Sequence, residues 1–220
     1  MSNCPGKYGA MPLDGSMLER LNAERPSIAE ERNSFVYYPG GSPVPFSAAP
    51  KLYNRPFSIT ADVLIPEDGA EGVLIAQGGV VGGYSFFVKD SRLTFVYNYL
   101  GRDFFTVVSD RDVPVGEVSL RYELEPTGEP DLAVGKGVPA RGELYIDGKL
   151  VGAVDMPHTV PNIFCTEGMT CGQDGGSRVA PDDYDTAFPF TGTIKRVKID
   201  LSGDLIPDTA TDIKIAMARQ

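Results

Sequence analysis

Residues 57–65, F-S-I-T-A-D-V-L-I, alternate without a break. Phe57, Ile59, Ala61, Val63 and Ile65 fall on one side of an extended chain, and Ser58, Thr60 and Asp62 on the other. A helix has no use for a two-residue period, so this run, bracketed by Pro56 and Pro66, reads as a strand with one buried face. The pattern recurs. Val118, Leu120, Tyr122 and Leu124 point one way, while Ser119, Arg121, Glu123 and Glu125 point toward water. Tyr84, Phe86 and Val88 form an inward set, followed by a turn at Lys89-Asp90-Ser91 and a second set, Leu93, Phe95 and Tyr97, which together make a hairpin. Asp147-Gly148 lies between two further apolar runs and predicts a tight hairpin, because Gly tolerates positive φ. Gly78-Gly79-Val80-Val81-Gly82-Gly83 reads as a hairpin loop, not as a dinucleotide fingerprint.

The last strand carries a phase slip. Phe190, Gly192 and Ile194 share one parity, and Val197, Ile199 and Leu201 the other. A bulge near Lys195-Arg196 restores both sets to one face. The strands are closely spaced, turn signals separate them, and no strand–helix alternation occurs. The fold class is therefore all-β, an antiparallel β-sandwich, with residues 126–140 as a long internal loop. The expected organisation is an N-terminal arm (1–34), a sandwich (35–203) and a C-terminal tail (204–220). In the arm, Met17, Leu18 and Leu21 have helical spacing within 14–22 and predict a short helix. In the tail, Thr209 and Asp212 resemble a capping box before Ile213, Ala216 and Met217, and predict another.

Composition limits the partners. The net charge of −10 argues against nucleic acid and against an anionic membrane, which both attract clustered Lys and Arg. No apolar run reaches the roughly 20 residues of a membrane-spanning helix. The first residues, M-S-N-C-P-G-K, lack the basic start and apolar core of a signal peptide, so the expected location is cytoplasmic. Cys4, Cys165 and Cys171 make an odd count. Cys165 and Cys171 are close enough in sequence to bridge, but free thiols are the expectation in a reducing compartment. Their spacing, with one histidine in the chain, does not make a zinc site.

Several segments carry a family resemblance. They include P-F-S-I-T-A-D-V (56–63), G-A-E-G-V-L-I-A-Q-G-G (69–79), G-G-Y-S-F-F-V-K-D (82–90), L-Y-I-D-G-K-L-V-G (144–152), C-G-Q-D-G-G-S (171–177) and F-T-G-T-I-K-R-V (190–197). Together they resemble the C-terminal accessory region of bacterial arylsulfatase-like proteins. The hairpin at 144–152 and the final strand are also similar to concanavalin A-like and laminin-G-like sandwiches. The resemblance implies a jelly-roll sandwich that is non-catalytic, supporting assembly or substrate access of a sulfatase-type hydrolase. The C-x-P-S-R formylglycine motif of that family is absent, and Cys4-Pro5-Gly6-Lys7 does not match it. None of the family's active-site residues carries over. The implied partner is a sulfatase-type catalytic domain or a second copy of the chain. Phe87 and Val96, opposite the inward sets, are the expected contact.

Two residue sets suggest a ligand site. Asp174, Asp182, Asp183 and Asp185 lie in one Gly-rich loop and supply the hard oxygens that Ca²⁺ prefers, the only cofactor suggested. The competing reading is a solvated loop in which Arg178 neutralises an aspartate. Tyr37, Tyr38, Tyr97 and Tyr99, with Phe104 and Phe105, offer aromatic platforms for sugar rings, with core placement as the competing reading. They support an alternative function, a lectin-like module for carbohydrate or sulfated glycan, assisted by Ca²⁺. Enzymatic chemistry has no comparable set. His158 reads as a loop or strand-edge residue, and Glu123 and Glu125 as a solvated face beside Arg121.

Overall fold

The computed structural model describes residues 32–206 apart from Ile163 and Thr186. The helices expected at 14–22 and 209–217 lie outside the described residues. Within them, two antiparallel sheets pack face to face. The first runs in the order β1 (Ser34–Tyr37), β11 (Thr193–Leu201), β2 (Phe57–Ile65), β7 (Gly116–Pro126), β8 (Ala140–Ile146), β9 (Lys149–Met156). The second runs β10 (Met169–Cys171), β3 (Gly72–Gly79), β4 (Gly82–Lys89), β5 (Arg92–Tyr99), β6 (Asp103–Asp112). This is the all-β sandwich that the alternation predicts.

The strands follow the sequence pattern closely. In β2 the odd residues from Phe57 to Ile65 are all buried. In β7, Val118, Leu120, Tyr122 and Leu124 are buried, and Arg121 pairs with Glu123 on the outer face. The phase slip is a bulge at Lys195: Ile194 pairs with Val63 and Arg196 with Asp62, leaving Lys195 as the extra residue. Asp147 (φ 48°) and Gly148 (φ 75°) make the expected hairpin turn. The long segment between β7 and β8 carries one 3-10 turn, Leu132–Val134.

The core lies between the sheets. Phe95 of β5 stacks flat on Tyr122 of β7, with ring centroids 3.5 Å apart and planes 5° from parallel. Tyr84 and Phe86 extend the cluster along the second sheet. Tyr122 also explains Gly142 on the neighbouring strand. A Cβ there would lie 2.4 Å from the Tyr122 hydroxyl, so a side chain and this ring cannot share the space. Fully burying one such apolar side chain contributes about 1.5–3 kcal/mol, which makes the inward rows the main source of stability.

One expectation fails. Phe87 and Val96 are not an open contact face, because both are fully buried. The chain's own segment 172–190 crosses the outer face of the second sheet as a strap. Val179, Ala180 and Tyr184 pack there on Val73, Ala76, Phe87 and Val96. Phe87 meets Tyr184 edge to face at 5.4 Å and Phe188 at 6.3 Å. Alternation identified an apolar outer row correctly but could not identify its cover, which comes from residues about a hundred positions later.

Candidate binding cleft

The edges of the two sheets meet where β1 closes one sheet and β10 the other. Phe35 and Tyr37 of β1 alternate inward with Ile199 and Val197 as partners, while Val36 turns outward. Beyond Tyr37 the chain turns at Gly40 (φ 76°) and crosses to the second sheet. There Val44 and Met169 exchange two backbone hydrogen bonds, each 2.8 Å. The crossing segment roofs a cleft of about 230 Å³ lined by Val36, Tyr37, Tyr38, Ser42, Met169 and Cys171 among others. Tyr38 stands at its mouth and is 62% exposed.

Two titratable groups that line this cleft stay neutral. Burial pushes the Tyr37 phenol up to about 12, so it remains a neutral hydrogen-bonding group at physiological pH. Burial does the same to Cys171, also to about 12, which keeps it a thiol and a poor nucleophile. Met169 adds an apolar floor and accepts a hydrogen bond from the Tyr84 hydroxyl at 3.5 Å. The arrangement can stack a flat apolar face on Tyr38 and hydrogen-bond to a hydroxylated edge.

The four tyrosines nominated from sequence therefore divide. Tyr37 and Tyr38 line the cleft. Tyr97 and Tyr99 are core residues: the Tyr97 hydroxyl accepts from Val160 N–H at 2.9 Å, and the Tyr99 hydroxyl donates to the Gly135 carbonyl at 3.4 Å. Phe105 packs against His158, and Phe104 is exposed. Ser42, Met169 and Cys171 were not foreseen as cleft residues. Their contribution depends on the bridge from Val44 to Met169, between chain segments more than 120 residues apart.

The four loop aspartates are also divided. Asp174 is buried and accepts from Val179 N–H at 2.9 Å and from the Tyr184 hydroxyl at 2.8 Å. Burial raises its carboxyl above the usual range, and those hydrogen bonds oppose the shift. Asp185 is exposed and pairs with Arg178 at 2.8 Å. Asp183 is half-buried and receives a bond from Lys89 through its backbone carbonyl, while Asp182 is exposed. Among the described residues, no three His, Cys, Asp or Glu side chains stand together as a metal cage. Cys165 and Cys171 carry free thiols. His158 lies in the loop after β9, with Nε2 3.2 Å from Asp103 Oδ2 and its ring against Tyr99; it faces a carboxylate, not a hydroxyl or thiol.

A second surface escaped the sequence reading. On the outer face of the first sheet, Arg121 lies 5.2 Å over the Tyr145 ring, and the Tyr145 hydroxyl donates to Glu143 at 2.6 Å. Parity placed Arg121 and Glu123 on this face but gave no sign of the aromatic neighbour.

No protein-family model and no curated protein sequence matches the chain. Solved structures do. The chain is similar to mouse laminin α1 domains LG4-5, with 14% identity and a TM-score of 0.50 over 78% of this chain and 43% of that one. That likeness establishes a laminin-G-like, concanavalin A-like sandwich. Looser likenesses are to the CBM40 domain of a Ruminococcus gnavus IT-sialidase bound to α2,3-sialyllactose (14% identity, TM-score 0.46, 74% of this chain and 82% of that one) and to a heptameric SAP-like pentraxin from Limulus polyphemus (13% identity, TM-score 0.38, 79% and 76%). No helix among the described residues is long and apolar enough to cross a membrane.

Proposed function

We propose that this chain is a non-catalytic, lectin-like module that binds neutral carbohydrate in the cleft between β1 and β10. One observation carries the reading: Tyr38 presents an exposed ring at the mouth of a cleft whose walls offer a neutral phenol, a hydroxyl and apolar surface. Sugar rings have an apolar face that stacks on aromatics and an edge rich in hydroxyls. The net charge of −10 disfavours sulfated glycans. The sulfatase-accessory reading rests on sequence resemblance alone. The contact it would have used, Phe87 and Val96, is occupied by the strap.

The test is a neutral-glycan array followed by titration of the best ligand. Tyr38→Ala is expected to weaken binding by up to about tenfold, the magnitude of one aromatic contact. Its unfolding curve should match that of the parent, because Tyr38 is outside the core. An array without hits, or affinity that survives Tyr38→Ala unchanged, removes the proposal.

A further inference from the structure

Two hairpin turns break the usual rules of turn chemistry, and they touch each other. The β3–β4 turn is Val80-Val81, and the β5–β6 turn is Leu100-Gly101-Arg102. Tight turns favour Asn, Asp and Gly, as the other two hairpins show with Asp90-Ser91 and Asp147-Gly148. Here both turns carry large apolar side chains. Leu100 even adopts φ 56°, a left-handed conformation that a leucine rarely takes. Val81 is 58% exposed and Leu100 41%, with Val80 and Phe104 exposed beside them. Strained backbone and unsheltered apolar side chains in one place are a cost without a folding benefit, which points to use.

The pair is also rigid. A Cβ on Gly101 would lie 2.7 Å from the Val80 carbonyl, so the turns are in direct contact. The buried Asn98 clamps them. Its Nδ2 donates to the carbonyls of Gly79 (3.1 Å) and Val80 (3.3 Å), and its Oδ1 accepts from Gly101 N–H (2.7 Å). Charge is sparse. Within 78–83 and 100–104 only Arg102 and Asp103 ionise, in a chain whose net charge is −10, and Asp103 Oδ2 lies 3.2 Å from His158 Nε2. Glu167, behind the tip, is occupied by the backbone N–H and hydroxyl of Ser177.

We infer that the two turns form a tip that inserts into a neutral, zwitterionic lipid surface, with Arg102 at the headgroup phosphates. A stable protein contact needs about 800 Å² from each partner, and four partly exposed side chains cannot supply that. A shallow insertion into a bilayer needs only a few apolar side chains on a stiff support. A zwitterionic surface carries no net charge to repel a chain of net charge −10. The inference is independent of the carbohydrate cleft.

Co-sedimentation of the full chain with phosphatidylcholine vesicles tests it. The parent protein is expected to pellet with vesicles, and less so when phosphatidylserine is added. Val81→Asp combined with Leu100→Asp should lower the partition coefficient by about tenfold or more, as for withdrawing one aliphatic side chain from an apolar phase. Leu100→Asn separates function from folding. It should melt at the same or a higher temperature, because Asn accepts the left-handed turn, yet bind vesicles less. Tyr38→Ala should partition as the parent does. Parent protein that stays in the supernatant at millimolar lipid overturns the inference. So does undiminished binding by the double variant, or light scattering that shows a dimer dissolved by the same substitutions, which would make the tip a protein contact.

Discussion

Deleting Lys198 should abolish folding, while deleting Lys195, three residues earlier, should not. The difference follows from the bulge in β11. Lys195 has no partner on β2, so its removal joins Ile194 and Arg196 into a regular strand and keeps Val197, Ile199 and Leu201 facing inward. The loss is the exposed Lys195–Glu117 ion pair, about 0–1 kcal/mol. Lys198 is different. Without it, either Ile199 and Leu201 turn outward and Asp200 turns in, or Val197 turns outward and Arg196 turns in. Each buried aliphatic lost costs roughly 1.5–3 kcal/mol, and burying an unpaired charge adds several more. That sum approaches the whole stability of a domain, about 5–15 kcal/mol. Near-UV circular dichroism and urea unfolding of the two deletion variants distinguish the outcomes. Equal behaviour of the two would show that the bulge does not set the register.

Tyr184→Ala should destabilise the domain by about 3–5 kcal/mol, the usual cost of removing a large buried ring. The hydroxyl lies 2.8 Å from both Asp174 and Ser85, and the ring packs on Phe87 and Phe188. Its loss frees the strap and uncovers Phe87 and Val96, so binding of a hydrophobic dye should rise along with the drop in urea midpoint. No rise in dye binding would mean that the strap holds without its anchor. The anchor is also sensitive to pH. Burial raises the folded-state Asp174 carboxyl above its unfolded value. The stabilisation from its bound proton is complete below the unfolded value and fades as pH rises through the folded one. Wild type should therefore lose stability relative to Asp174→Asn across that acid window and run parallel to it above. Parallel curves throughout would place the carboxyl at its ordinary value.

Periodicity made the sheets legible because it reports which face of a strand is dry. It located β2 and β7, the Asp147-Gly148 turn and the Lys195 bulge. It could not say what keeps a face dry. The strand segments Y-S-F-F-V and L-T-F-V-Y of β4 and β5 are apolar on both sides, as strands buried on two faces are, and a partner and a strap leave the same pattern. The same limit explains the aspartates. Asp174 looks like its neighbours in the sequence, and only the backbone N–H of Val179 and the distant Tyr184 hydroxyl make it an internal anchor. The cleft was half legible. Parity sends Tyr97 inward with Phe95, whereas Tyr38 gains its role from a fold-level encounter between two sheet edges.

The strand that opens the sandwich lies beside the one that completes it, and Leu201 N–H donates to the Asn33 carbonyl at 2.7 Å. Entry and exit thus share one corner. A unit of this kind can be spliced into a surface loop of a host by two short joints, without parting the host's own chain by more than a few ångströms.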